Sequence, residues 1–191
     1  MPDSPLAVLQ QRLSVPSRQL GAPAPEGDAL RALLQAAIRV PDHGKLVPFR
    51  LIALRGEAKR AFGERLAALA LARDPAMSGA KQEKERNRYA HAPLVLVVVA
   101  RIAQDSKVPP IEQQLSSGCV AYNLLLGAQA LGYGAQWLTG WAAYDAEVAT
   151  LLGLAPNEKI TGFVHIGTPQ AEVPERERPA LEEVYREWTP A

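Results

Sequence analysis

The 191-residue chain is 48% apolar and 21% charged, and its 21 Lys and Arg against 20 Asp and Glu leave a net charge of +1. That composition excludes a wholly disordered chain and gives no electrostatic case for nucleic acid or an anionic membrane surface as partner. The longest apolar run, Ala92–Ala100, falls well short of the ~20 residues a membrane helix needs. No basic region followed by an apolar block opens the chain. One cysteine, Cys119, rules out an internal disulfide and argues against a cysteine-based zinc site. A cytoplasmic location and a buried, inert thiol are the expectations.

In chain order, residues 3–20 predict a short helix, with Leu6, Leu9 and Leu13 at helical spacing and Pro16 ending it, then an irregular segment. Residues 21–27 are a loop. Asp28–Arg39 is the clearest amphipathic helix, with Leu30, Leu33, Leu34, Ala37 and Ile38 on one face. After the loop 41–48, residues 49–54 read as a buried strand and Ala58–Ala72 as a helix that Asp74-Pro75 and Ser78-Gly79 break. A mixed-charge helix over Lys81–His91 precedes Leu94–Ala100, a β-branched run expected as a central strand covered on both faces. The helix Ile111–Leu131 is rich in small residues, which permit close approach by another helix or a flat ligand. Gly132-Tyr133-Gly134 closes it. A short strand over Ala135–Leu138, a turn at Thr139-Gly140, a helix over Ala143–Leu152 and a strand over Ile160–Ile166 complete the pattern. The tail, residues 170–191, carries prolines beside Leu181, Val184, Tyr185 and Trp188, and reads as an extended arm that docks on something, such as a partner subunit. The whole, residues 1–191, is one α+β domain.

Most chemical motifs are missing. There is no P-loop, no G-x-G-x-x-G and no G-x-S-x-G elbow. His43, His91 and His165 lack metal-ligand spacing, and His165, inside an apolar strand, reads as a satisfied core or interface histidine. What remains is a set of polar groups at element edges. Arg12 and Ser14 flank the end of the first helix, where a solvated cap is the plain alternative. Arg39 ends the amphipathic helix, where a cation offsetting the dipole is the alternative. His43 follows a Pro-Asp turn, and Trp137-Leu138-Thr139-Gly140 closes a short strand. Together they supply what a flat phosphorylated cofactor requires: guanidinium groups and a hydroxyl for a phosphate, and a strand end beside an aromatic residue for a ring system.

Arg12-Leu13-Ser14, the run Ala36–His43, Pro48-Phe49-Arg50, Lys107-Val108-Pro109, Gln113–Gly118, Leu131–Trp137 and Ile166–Gln170, taken in this order, resemble the nitroreductase superfamily, and within it a short, minimal subgroup. The resemblance spans about residues 6–170. It implies a central, mainly antiparallel sheet flanked by helices, an intertwined homodimer with FMN at the subunit interface, and an FMN-dependent NAD(P)H oxidoreductase passing electrons to a nitroaromatic, quinone or similar small electrophile. An FMN carrier or sensor without turnover is the alternative, and a cofactor-free dimeric module a further one.

By the same resemblance Arg12, Leu13 and Ser14 fall on a segment binding FMN phosphate and the polar ring edge. Arg39 falls on a phosphate contact, and His43 on a flavin contact reached from the other subunit. Trp137, Leu138 and Thr139 line the flavin, and the stretch Gly127, Ala128, Gln129, Ala130, Leu131 and Gly132 falls where NADH or NADPH is bound. Leu13 stands where the family carries a second Arg, and Val47 where the subgroup carries Gln. No residue is assigned as catalytic and no metal is expected, since flavin performs the chemistry and the protein supplies position and electrostatics.

Overall fold

The computed structural model describes residue 4 and residues 6–190; residues 1–3, 5 and 191, which belong to the expected first helix, domain and arm, lie outside the described residues. In chain order the elements are α1 (Ala7–Gln10), β1 (Leu20–Gly21), α2 (Gly27–Ala37), β2 (Phe49–Leu54), α3 (Gly56–Arg73), α4 (Gly79–Arg86), β3 (Leu94–Arg101), α5 (Pro110–Ala130), β4 (Gly134–Leu138), α6 (Ala146–Leu151), β5 (Glu158–Pro169) and α7 (Leu181–Val184).

The sheet is antiparallel throughout and β5 is its hub. β5 pairs β3 along most of its length, β4 over its C-terminal half and β1 at its last residues, while β2 closes the far side of β3. Because side chains alternate across a strand, β3 feeds two cores. Leu94, Leu96 and Val98 meet Leu33 and Ala37 of α2 and Val120, Leu124 and Ala128 of α5. Val95, Val97 and Val99 meet Phe62 and Leu66 of α3, Tyr89, Phe163 and Val148 of α6. Both faces of this strand are covered, which is why it is apolar at every position from Leu94 to Ala100. α2 and α5 approach so closely that a Cβ at Gly127 would lie 2.6 Å from Leu33 Cδ1.

The structure corrects several expectations. The first helix stops at Gln10, with Leu6 and Leu9 exposed, because Val15 is drawn off to donate its N–H to Ala135 of β4. The mixed-charge helix ends at Arg86 rather than His91, since Tyr89 must turn inward to stack among Phe62, Phe163 and His165. The expected helix over Ala143–Leu152 divides into a single 3₁₀ turn, Trp141–Tyr144, and α6, whose start Asp145 caps by accepting from the Glu147 and Val148 amides. β5 outruns its apolar core at both ends, and the proline-rich tail contains one helical turn, α7. Cys119 is exposed, not buried. His165 is a core residue but not a satisfied one: it is fully buried and neither ring nitrogen has a hydrogen-bond partner among the described residues.

Candidate functional site

α5 collects every segment that the sequence singled out. Near its C-terminal end, Gln129 Oε1 accepts from the Leu13 amide at 3.1 Å, and Arg12 Nη1 donates to Ser14 Oγ at 3.1 Å. One turn and a half earlier, Asn123 Nδ2 donates to the carbonyls of Ala37 and Arg39, which holds the end of α2. The Trp137 ring lies over Gly118, and its Nε1 donates to the Thr161 carbonyl at 3.3 Å. In the first turn of α5, Glu112 Oε2 meets His43 Nδ1 at 2.7 Å, and in the second Ser116 Oγ donates to the Pro41 carbonyl at 2.7 Å.

These contacts spread the residues along the helix. Leu13, beside Arg12 and Ser14, meets α5 near its C-terminal end at Gln129, Trp137 meets it at Gly118, and His43 meets it in the first turn at Glu112. Glu112 and Gln129 are about 25 Å apart along the axis at about 1.5 Å per residue. The Arg12 segment and His43 of one chain thus meet α5 near opposite ends.

Among the described residues, neither Arg12 nor Arg39 forms an ion pair, and Arg39 is exposed. Leu13, with Val15, Gln129, Tyr133, Gly134 and Pro169, lines a cleft of about 540 Å³. The β4–β5 ladder stops at Leu138–Phe163, so Thr139 and Gly140 leave the sheet; their N–H groups find no acceptor among the described residues. A second cleft, about 760 Å³, opens beside Thr161 and is bordered by Gln114, Tyr144, Leu154 and Ile160. Of the stretch Gly127–Gly132, Gly127 is packed on Leu33, Ala128 is buried and Gln129 is spent on Leu13; Ala130, Leu131 and Gly132 reach the surface.

Two supporting residues, Arg178 and Glu112, escaped the sequence reading, and a third, Gln129, was expected at the nicotinamide nucleotide and instead holds Leu13. Arg178, from the tail, donates from Nη2 to the Arg12 carbonyl at 3.2 Å while paired with Glu175. It brings a second guanidinium to the Arg12–Ser14 segment. Its signal was the alternation of charges in Pro174-Glu-Arg-Glu-Arg-Pro179. The Gln129–Leu13 and Glu112–His43 contacts carried no local signal, because the partners are distant in sequence. The loop between Pro41 and Pro48 is stiff: the Asp42 carboxylate accepts from the Leu46 and Val47 amides at 3.0 and 2.9 Å. Lys45 and Val47 hold left-handed backbones with φ of 53° and 49°, which is costly for a β-branched valine.

The nitroreductase family profile matches residues 9–168. The chain belongs to the nitroreductase family. It is 36% identical over 153 residues to "Putative NAD(P)H nitroreductase YdjA" of Escherichia coli (strain K12), covering 80% of this chain and 82% of that protein. A nitroreductase-like family protein from Bacillus cereus superposes with a TM-score of 0.80 at 22% identity, covering 96% of this chain and 95% of that one. A nitroreductase with bound FMN from Bacteroides fragilis superposes with a TM-score of 0.71 at 24% identity, covering 92% and 94%. These likenesses agree with the antiparallel, helix-flanked α+β architecture. Among the described residues no helix is long and apolar enough to cross a membrane, and no cluster of His, Cys, Asp and Glu could hold a metal ion.

Proposed function

We propose that this protein is an FMN-dependent NAD(P)H oxidoreductase that works as a homodimer. The observation that carries the reading is the convergence on α5 of the Arg12, Arg39, Trp137 and His43 segments, the set that the family resemblance assigns to flavin. The residues fit the group. Arg12 and Ser14, backed by Arg178, offer charged and hydroxyl donors to a phosphate; Arg39 offers a further guanidinium. The unengaged amides of Thr139 and Gly140 offer hydrogen bonds to a ring edge beside Trp137. When bound, FMN would take a hydride from NADH or NADPH and pass two electrons to a nitroaromatic, quinone or similar small electrophile. Around it, this chain's guanidinium groups and amides orient the cofactor and stabilise negative charge. The cleft beside Thr161 is room for the acceptor, and the exposed part of Gly127–Gly132 a surface for the nicotinamide nucleotide.

The roughly 25 Å between the His43 and Arg12 ends of α5 supports a site shared between subunits, with the His43 loop of one protomer completing the site of the other. An apolar row runs down the outside of α5, through Ile111, Leu115, Cys119 and Tyr122, and the tail exposes Leu181, Val184, Tyr185 and Trp188. A contiguous apolar surface of that kind calls for a cover, and a second copy of the chain supplies one. An unpaired, exposed Cys119 favours a reducing cytoplasm. The test is the visible absorbance spectrum of the protein loaded with FMN. Flavin bands that bleach on anaerobic addition of NADH or NADPH support the reductase. Bands that persist reduce it to a flavin binder, and a protein that retains no flavin refutes the cofactor reading.

A further inference from the structure

His43 and Glu112 lie 69 residues apart in sequence, yet Nδ1 and Oε2 are 2.7 Å apart. The His43 side chain is largely open to solvent and that of Glu112 partly so, at 66% and 44% exposure. An exposed ion pair contributes little to stability, so folding energy does not account for the precision with which this one is held. Two independent devices fix the His43 turn: the double cap from Asp42 and the Ser116–Pro41 hydrogen bond. The same loop bears the left-handed backbones of Lys45 and Val47, and strain of that kind persists where the surroundings over-determine it and clusters at working sites. Glu112 is in turn rigid, in the first turn of a 21-residue helix. The charged groups about the imidazole are Asp42 and Lys45 on its own loop and Glu112 from α5; Glu112 alone among the described residues pairs with it, the Asp42 carboxylate being occupied by backbone amides.

We propose that His43 and Glu112 form a dyad that delivers a proton to the electron acceptor, with His43 the catalytic residue and Glu112 its positioning residue. The inference rests on the flavin reading above. A carboxylate at Nδ1 keeps the proton of the neutral ring on that nitrogen and leaves Nε2 as the atom that takes up and gives a proton. For a quinone the balance is simple. A hydride equivalent from the reduced cofactor and one proton convert the quinone to the hydroquinone. The His43 Nε2–H bond breaks as an O–H bond forms on the acceptor, the imidazolium becomes neutral, and solvent restores its proton. No proton passes through Glu112 in this balance. This gives the protein an acid where the sequence alone offered none.

Two measurements test the dyad. The first uses the cofactor-free protein and reads the ¹⁵N chemical shifts of the His43 ring at a pH where it is neutral. The wild type is expected to hold its proton on Nδ1, Glu112→Ala to lose that preference, and Glu112→Gln, which keeps an acceptor oxygen, to retain it. The second reduces the FMN-loaded protein anaerobically with NAD(P)H, mixes it with p-benzoquinone and follows the return of the flavin bands. Glu112→Ala is expected to slow that step at least about tenfold, with a smaller effect on bleaching by NAD(P)H, and Glu112→Gln to recover part of the rate. A wild-type ring with its proton on Nε2, or a loaded Glu112→Ala protein that reoxidises like the wild type, overturns the dyad alone. A wild type that takes up no FMN overturns the cofactor reading and the dyad's role with it.

Discussion

The indole of Trp137 occupies the space that a side chain at position 162 would fill: a Cβ built on Gly162 overlaps Nε1 and lies 2.5 Å from Cδ1 of that ring. A glycine on β5 is thus the condition for the β4 tryptophan to lie down toward Thr161 and α5. Gly162→Ala should push the ring off this seat. We expect a loss of about 1–3 kcal/mol, the usual cost of overpacking, read as a lower midpoint in denaturant unfolding with a shifted tryptophan emission. Weakened FMN uptake should accompany it if Trp137 flanks the ring.

Loss of a charged hydrogen bond at the phosphate end should be visible in cofactor affinity. Arg12→Ala and Arg39→Ala are each expected to weaken FMN binding by about 1.5–3 kcal/mol, a change of roughly 10- to 150-fold in Kd. Quenching of flavin fluorescence on titration measures it. A change of only a few tenths for both would remove them from the phosphate site.

His165 predicts an acid-sensitive fold. Burial, with smaller contributions from the positive charges of Lys59 and His91, holds its pKa down at about 4, against about 6.5 in an unfolded chain. Between those values the unfolded chain binds the proton and the native one does not, so stability falls as pH drops through that window. The loss approaches on the order of 3 kcal/mol once pH is below 4. His165→Leu, of similar volume, should flatten this part of the curve in urea midpoints measured from pH 7 to 4. An unchanged slope would assign the acid sensitivity elsewhere.

Glu158 supplies a second acid-labile point with the opposite type of group. Its carboxylate, nearly buried, accepts two hydrogen bonds of 2.7 Å from Arg50 and one from the Ala155 amide, and Arg101 adds a weaker contact. The Arg50 hydrogen bonds, chiefly, hold its pKa at about 2. Its contribution is complete above the unfolded value near 4.5 and is lost as pH falls toward 2. Glu158→Gln is expected to cost about 2 kcal/mol at neutral pH, measured by thermal or denaturant unfolding, and to remove the slope in that lower window.

The apolar row on α5 makes a prediction about assembly. Leu115 is 61% exposed at its centre, so Leu115→Asp should leave the fold of an isolated chain intact by circular dichroism. It should shift a dimer toward monomer in sedimentation velocity, with loss of retained flavin. A wild type that sediments as a monomer would refute the shared site.

Much of this protein was legible along the chain. The uniform β-branched run at Leu94–Ala100 could only be a strand covered on both faces, and α2 announced itself through the spacing of Leu30, Leu33, Leu34 and Ala37. The segments around Arg12, Arg39, His43 and Trp137 were visible because each joins residue types that the chemistry needs, in an order that resembles one family. Element ends were less legible. α4 stops at Arg86 because Tyr89 is wanted in a core built mainly from distant residues, and the break at Tyr144–Asp145 depends on a cap made by a single carboxylate.

What only the tertiary structure decided were the partners. That Gln129 holds Leu13, that Glu112 meets His43 and that Arg178 reaches Arg12 are contacts across 69 to 166 residues of chain. Local pattern reports which face of an element is apolar, since that follows from a fixed period. It does not report which polar side chain arrives from another element, since that follows from how the helices are set on the sheet. The exposure of Cys119 and the unpaired ring of His165 belong to the same class: composition favoured a buried thiol and a satisfied imidazole, and the packing of α5 and of Tyr89 decided otherwise.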